Sequence, residues 1–199
     1  MLSQEKINAN FVTYCKKLEK YGCYSEEMMK VIGDKIKNCP FGMNEDCGGA
    51  YQGGMVDVVL HNLCKLAHNI NELGLGGGEK PNHPFLKVNG NMLFRVLLLQ
   101  HIAKAEMFVR TEEQWKIKKG FLYDFNDSLA SSLKLGERSI YLCQKYGITL
   151  EEEEYEAMRI IDREECKYDF FASPLALLVK FVNVLTAAEL KIKYEKSIG

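Results

Sequence analysis

The sequence predicts an all-α fold in a single domain of residues 1–199, with one small β-hairpin. Apolar residues recur at helical spacing along most of the chain, and the periodic stretches are separated by Gly-rich or Ser-containing turn signals. Only residues 108–126 depart clearly from this pattern. Apolar residues make up 47% and charged residues 27% of the chain, which is the composition of an ordinary globular protein.

The N-terminal part predicts two helices, an irregular segment and a third helix. Residues 4–21 carry apolar side chains at helical spacing, and a Gly ends the run. Ser25 is placed to cap a second helix, because a serine hydroxyl can accept a hydrogen bond from the first turn. Residues 39–53 are Gly-rich and are expected to be irregular. A long helix is expected over residues 54–73.

The middle of the chain alternates between loop, helix and hairpin patterns. Residues 74–81 are Gly-rich and predict a loop without the spacing of a phosphate-binding loop. An apolar helix is expected over residues 90–107. In residues 108–126, aromatic residues, Lys and Thr alternate around Gly120, which predicts a hairpin with one packed face and one solvated face.

The last third predicts three helices. The first is expected over residues 129–146. Thr149 with Glu152 has the spacing of a capping box for a helix that continues to about residue 164. Ser173-Pro174 predicts the start of a final helix, since Pro is favoured at the first helical position.

Charge and cysteine content restrict the classes of partner. The formal net charge is −1, which argues against a nucleic-acid partner, because binding phosphates requires an excess of Lys and Arg. The seven cysteines form no C-x-x-C pair and are expected to be reduced thiols. We find neither the apolar core of a signal peptide nor an apolar run long enough to span a membrane. A cytoplasmic protein without a membrane partner is therefore expected.

Six blocks of residues resemble the motifs of one protein superfamily and follow one another in the same order along the chain. They are residues 49–57, residues 98–104, Trp115 with residues 121–127, residues 135–139, residues 157–161 and residues 173–183. Together they resemble the motifs of one branch of the HD superfamily of metal-dependent phosphohydrolases. The resemblance implies an HD-like helical core over residues 46–199, preceded by a helical extension over residues 1–45. It also hints at an origin in a tailed bacteriophage, which would place the protein in the host cytoplasm or the virion.

The metal ligands of that superfamily are missing at the matching positions. The family's His and Asp ligands align with Gly48, Val58, Gln100, His101, Leu135, Ile161 and Asn183. Gly, Val, Leu and Ile offer no lone pair, and an amide offers only a neutral oxygen. His101 stands one residue late, on another face of its helix. The resemblance therefore implies a catalytically inactive protein, a pseudoenzyme, with no cofactor.

Binding is then the expected role, with a protein partner or a scaffold function as the first expectation. Exposed aromatic residues of the hairpin are the natural place to look for the partner's surface. A second expectation is a nucleotide-binding module without hydrolysis, in which Lys104 and Arg138 would hold phosphate. The sequence gives no indication of the oligomeric state.

A third expectation is a phosphohydrolase whose metal site has been rebuilt. Asp57, His61, Cys64 and His68 share one stripe of the helix predicted over residues 54–73. One straight helix cannot wrap all four around an ion, because the stripe is about 16 Å long. A rebuilt site would therefore need other segments, and its residues would be His61, His68, His101 and Asp162. A polar stripe at the edge of the core is the more common meaning of such a pattern.

Overall fold

Helices form most of the chain, as the sequence predicts, and a small antiparallel sheet of two strands is added to them. The structure, a computed structural model, describes residues 2–70, 88–129, 132–162 and 172–198. Its helices are α1 (Gln4–Lys20), α2 (Glu26–Asn38), α3 (Gly54–Val58), α4 (Cys64–Ile70), α5 (Gly90–Leu99), α6 (Lys104–Met107), α7 (Gln114–Lys118), α8 (Leu135–Lys145), α9 (Glu152–Ile160) and α10 (Pro174–Ile198). The strands are β1 (Phe108–Arg110) and β2 (Tyr123–Phe125). The loop predicted over residues 74–81 lies outside the described residues.

The first two helices begin and end as the sequence predicts. Helix α1 is followed by Gly22, whose positive φ of 64° ends the helical conformation. At the start of α2, the Ser25 hydroxyl accepts a hydrogen bond from the Met28 N–H at 3.3 Å. Tyr14 and Leu18 of α1 are fully buried in the same apolar core that α5, α8, α9 and α10 share. Helices α1 and α2 are therefore packed into this core.

The helix predicted over residues 54–73 is continuous from α3 to α4, with a wider turn in its middle. Residues Val59–Leu63 form a π-helical turn between the two α-helices. Leu63 is fully buried, whereas the His61 side chain faces solvent. Residues 71–73 lie outside the described residues.

The helix predicted over residues 90–107 is interrupted, and this prediction was wrong at residues 100–103. There the Ile102 N–H bonds the carbonyl of the third residue before it, Leu99, at 3.2 Å, and not that of the fourth, Leu98. The Tyr14 hydroxyl donates to the released Leu98 carbonyl at 2.7 Å, and the Ser139 hydroxyl donates to the Gln100 carbonyl at 3.0 Å. Side chains from α1 and α8 thus replace bonds that a continuing α5 would have made itself.

The hairpin exists, but its strands are shorter than the alternation of residues 108–126 predicts. Phe108 pairs with Phe125, and the pairing ends at Arg110. Trp115 lies in the short helix α7 and not in a strand. We call the unit formed by β1, α7 and β2 the hairpin lobe.

The ends of the later helices also differ from the prediction. Helix α8 begins at Leu135, six residues later than predicted. Helix α9 is capped by Glu154, whose carboxylate accepts a hydrogen bond from the Glu151 N–H at 3.0 Å, and not by the predicted Thr149 with Glu152. Helix α10 begins at Pro174 as predicted.

A buried ion pair decides where α9 begins. The Glu154 carboxylate is fully buried, and its Oε1 lies 2.6 Å from the Arg95 Nε. The Arg95 guanidinium also donates to the carbonyls of Tyr21, Gly22 and Thr149, at 3.2, 2.9 and 2.6 Å. One cation on α5 therefore joins the end of α1 to the start of α9.

We predict that Gly136→Ala destabilises the protein. A Cβ at Gly136 would collide with the backbone carbonyl of Met158, so α8 and α9 would have to separate. Overpacking of this kind costs about 1–3 kcal/mol, which urea unfolding would measure as a lower free energy of unfolding. Gly90→Ala is the matched control, because nothing lies within 4 Å of a Cβ there. An equal loss in both variants would contradict the prediction.

Candidate functional site

The side chains of Gln100 and Asn183 form a pair of amides that satisfy each other. Asn183 Nδ2 donates to Gln100 Oε1 at 3.0 Å, and Gln100 Nε2 donates to Asn183 Oδ1 at 3.3 Å. Asn183 Nδ2 also donates to the Val179 carbonyl at 2.8 Å. Gln100 is fully buried. The pair joins the C-terminal end of α5 to the middle of α10 and uses the polar atoms that would otherwise be free to bind a ligand.

His101 is buried beside this pair as a neutral ring. Its Nε2 lies 3.3 Å from Asn183 Oδ1, and its ring packs edge-on against Phe41 with centroids 4.9 Å apart. Because Asn183 Oδ1 can only accept, Nε2 carries the proton, and the buried Nδ1 has no hydrogen-bond partner. Burial lowers the pKa of His101 well below its ordinary value, and the nearby Lys104 cation lowers it further.

Lys104 points inward and not toward solvent. Its Nζ donates to the Phe41 carbonyl at 2.5 Å and lies 3.6 Å from the centroid of the Phe41 ring. Burial lowers the pKa of Lys104 to about 8, although Cys39 and Asp162 raise it. A cation over an aromatic face is stabilised by the ring, and this stabilisation offsets part of the cost of burial.

Asp162 caps the first turn of α8. Its Oδ2 accepts a hydrogen bond from the Gly136 N–H at 2.6 Å. Burial raises the pKa of Asp162, and the Gly136 hydrogen bond and the Lys104 cation act in the opposite direction. Arg138, in the same turn of α8, is buried. Neither Lys104 nor Arg138 therefore presents its charge at the surface, as a phosphate site would require.

Two more of the positions that the resemblance aligns with ligands, Gly48 and Val58, are enclosed by apolar packing. Gly48 has a φ of 69°, and a Cβ there would lie 2.8 Å from the Cβ of Leu190. At the neighbouring Gly49, a Cβ would lie 2.6 Å from the Cβ of Phe41 and 3.1 Å from Val58. A larger residue at Gly48 would therefore meet both an unfavourable backbone conformation and an occupied space.

These contacts connect five of the seven positions. Gln100, His101 and Asn183 are bonded directly, and Phe41 links His101 to Lys104 and to the backbone at Gly49, which lies beside Gly48 and Val58. The other two positions, Leu135 and Ile161, are the sequence neighbours of Gly136 and Asp162, and the effect of the Lys104 charge on the pKa of Asp162 relates them to the rest. We call this region the central cluster.

Phe41 is the member of the central cluster that sequence reasoning missed. It lies in the irregular segment before the first of the six blocks. Its ring contacts His101 and Lys104, and its carbonyl accepts the lysine hydrogen bond. A lone aromatic residue between Pro and Gly gives no signal of such a role in the sequence.

The residues of the rebuilt metal site are not brought together. His61 is half-exposed and lies 3.7 Å from the Asp57 carboxylate, which also accepts hydrogen bonds from Tyr51 and Asn10. His68 is exposed and His101 is buried. Within the ranges that the structure describes, no group of three or more His, Cys, Asp or Glu side chains could hold a metal ion.

Four buried cysteines of the described ranges are unsuited to act as nucleophiles. The six cysteines of the described ranges are free thiols. Burial raises the pKa of Cys64, the cysteine of the helix stripe, to about 11, and that of Cys23, Cys39 and Cys143 to about 12. These four thiols are protonated near neutral pH and are poor nucleophiles.

A groove of about 890 Å³ lies apart from the central cluster, between the end of α1, α5 and the start of α9. Glu151, Glu152 and Glu153 line it and are exposed, while the charges of Arg95 and Glu154 neutralise each other. An acidic groove repels phosphate, so it gives no support to nucleotide binding.

Comparison with known proteins found no counterpart of the chain: no family model, no curated protein and no solved structure matches it. None of the helices that the structure describes is long and apolar enough to cross a membrane.

The burial of Lys104 predicts a pH-dependent stability. Its folded pKa of about 8 lies below the value of about 10.4 for an unfolded lysine, so the unfolded chain binds more protons between these two pH values. The stability of the wild type should therefore rise with pH relative to that of Lys104→Met, by up to about 3 kcal/mol from pH 8 to pH 10.5. Denaturant unfolding of both proteins across this range measures the difference, and a constant difference would contradict the prediction.

Proposed function

We propose that the chain is a catalytically inactive member of the HD superfamily that acts by binding a protein partner. The proposal rests first on the six blocks of residues that resemble the family in order. It gains support from the central cluster, because five of the positions aligned with the family's ligands come from three separate parts of the chain and are joined there by contacts. An origin in a bacteriophage, with the protein in the host cytoplasm or the virion, belongs to the same proposal and rests on the resemblance alone.

The closed state of the central cluster is the observation that carries the proposal of inactivity. Replacement of the metal-binding side chains alone would leave an unfilled polar cavity. Here Leu190 fills the space at Gly48, and the Gln100 and Asn183 amides bond each other. Restoring a His at Gly48 would require both a strained backbone and movement of α10. A hydrolytic site would therefore need rearranged packing as well as the missing side chain.

The hairpin lobe is the surface that best suits a protein partner. Trp115, the chain's single tryptophan, is 56% exposed. Val109, Ile117 and Phe121 are also exposed on this small unit. The Nζ atoms of Lys116 and Lys119 lie 5.6 and 5.3 Å from the centroid of the Trp115 ring. Exposed aromatic residues with cations at their faces are typical of residues that dominate binding energy at protein interfaces.

The proposed inactivity predicts little metal and no hydrolysis. Protein purified without chelator, then incubated with Mn²⁺ or Fe²⁺ and dialysed, should retain far less than one ion per chain and should not cleave bis(p-nitrophenyl) phosphate. The combined variant Gln100→His, His101→Asp and Asn183→Asp restores three donors and should retain more metal than the wild type. A stoichiometric ion in the wild type, together with phosphoester cleavage, would refute the proposal.

The role of the hairpin lobe predicts a selective loss of binding. A partner captured from host extract by the wild type should be lost on Trp115→Ala, because truncation of a central aromatic anchor costs about 2 kcal/mol or more. Tyr155→Ala is the matched control, since Tyr155 is an aromatic residue of similar exposure on α9. Equal capture by both variants, with both folded, would place the partner elsewhere.

A further inference from the structure

Helix α10 has apolar side chains on all sides, although only one side reaches the core. Val179, Val182 and Leu190 face inward and are buried. On the opposite side, four large apolar side chains are exposed. They are Phe181 (50% exposed), Val184 (60%), Leu185 (37%) and Ile192 (51%).

The four exposed side chains form one stripe. Val184, Leu185, Ala188 and Ile192 lie three, four, seven and eleven residues after Phe181. This spacing keeps all five residues on one face of a helix. We call these five residues the outer stripe. A helix that is apolar on both faces is normally covered on both faces, whereas the described segments of this chain leave the outer stripe exposed.

We infer that a second copy of this chain covers the outer stripe, with the two α10 helices packed antiparallel. The inference does not depend on the HD resemblance or on the proposed function. It rests on how the stripe complements itself when it is turned end for end. An antiparallel arrangement centred between Leu185 and Ala188 places each Leu185 opposite the partner copy's Ala188, and each Phe181 opposite the partner copy's Ile192.

The large and small residues of the stripe are matched in this arrangement. Ala188 is small and lies beside the centre, so it leaves room for the opposing Leu185 side chain, as knobs fit into holes between paired helices. The match occurs twice because of the two-fold symmetry, which makes the contact closed and limits assembly to two copies.

The charges beside the stripe are balanced in this arrangement. Lys180, Lys191 and Glu195 lie on the same flank of α10. Antiparallel pairing sets each Lys180 two residues out of register both with the partner copy's Lys191 and with its Glu195, so repulsion and attraction offset each other. The orientation therefore follows from the match of large and small residues.

The area of the stripe sets the strength of the contact. With Ala187 and the aliphatic parts of Lys191 and Glu195, the exposed side chains supply on the order of 500 Å² per copy, so a dimer would bury about 1,000 Å² in total. That reaches the roughly 1,000 Å² that a biological interface should bury and lies below the about 1,200–2,000 Å² of stable complexes, so a weak, reversible dimer is expected.

Sedimentation equilibrium of the full chain tests the dimer. The wild type should show a monomer–dimer equilibrium, and Val184→Glu should raise its dissociation constant by at least about tenfold, because it buries a charge in the apolar contact. Val31→Glu is the matched control: Val31 is a similarly exposed valine on α2 and should leave the equilibrium unchanged. Circular dichroism melting would establish that both variants are folded.

A mixing experiment tests the orientation. Phe181→Glu and Ile192→Lys should each weaken association when studied alone. Their equimolar mixture should associate more strongly than either variant, because only an antiparallel pair places Glu opposite Lys. A wild type that stays monomeric at several hundred micromolar, or that is weakened equally by Val184→Glu and Val31→Glu, overturns the inference. A mixture no stronger than its components overturns the antiparallel arrangement.

Discussion

The hydrogen bonding at the C-terminal end of α5 is the constraint on which the rest of the structure depends. Val96, Leu97, Leu98 and Leu99 are fully buried, so water cannot reach the carbonyls that the helix releases where it ends. Each unpaired buried carbonyl would cost about 1–3 kcal/mol. Tyr14 and Ser139 supply partners for two of these carbonyls, those of Leu98 and Gln100, and thereby fix α1 and α8 against α5. The Gln100 side chain adds α10 through its bond with Asn183. The arrangement of these four helices thus follows largely from hydrogen bonds at one helix end.

The cost of burying polar groups also accounts for the neutral amide pair of the central cluster. A buried carboxylate is tolerated when a cation balances it, and it is costly otherwise. Under the proposed descent from a metal site, loss of the ion would leave an acidic residue at position 183 uncompensated. An amide there removes the charge and donates a hydrogen bond to Gln100. Neutral groups that satisfy each other are therefore what a dry site without an ion requires.

Local sequence signals predicted the elements whose boundaries are set locally. Ser25 caps α2 and Pro174 begins α10, as their positions in the sequence indicate. The break after α5 was not predictable in this way, because Tyr14 and Ser139 lie 84 and 39 residues from the carbonyls that they bond. The start of α9 also depends on a distant residue. Four consecutive glutamates allow several caps, and Arg95 selects the one that uses Glu154. Helix α7 was not predictable either, because alternation over a few residues does not distinguish a strand from a single helical turn.

Helix α10 connects the closed interior to the surface. On its inner side, Asn183 bonds Gln100, and Leu190 packs against Gly48. On its outer side, Val184 and Ile192 are exposed. The length and apolar character of α10 exceed what closing the interior requires, and the excess is concentrated on the side that faces outward.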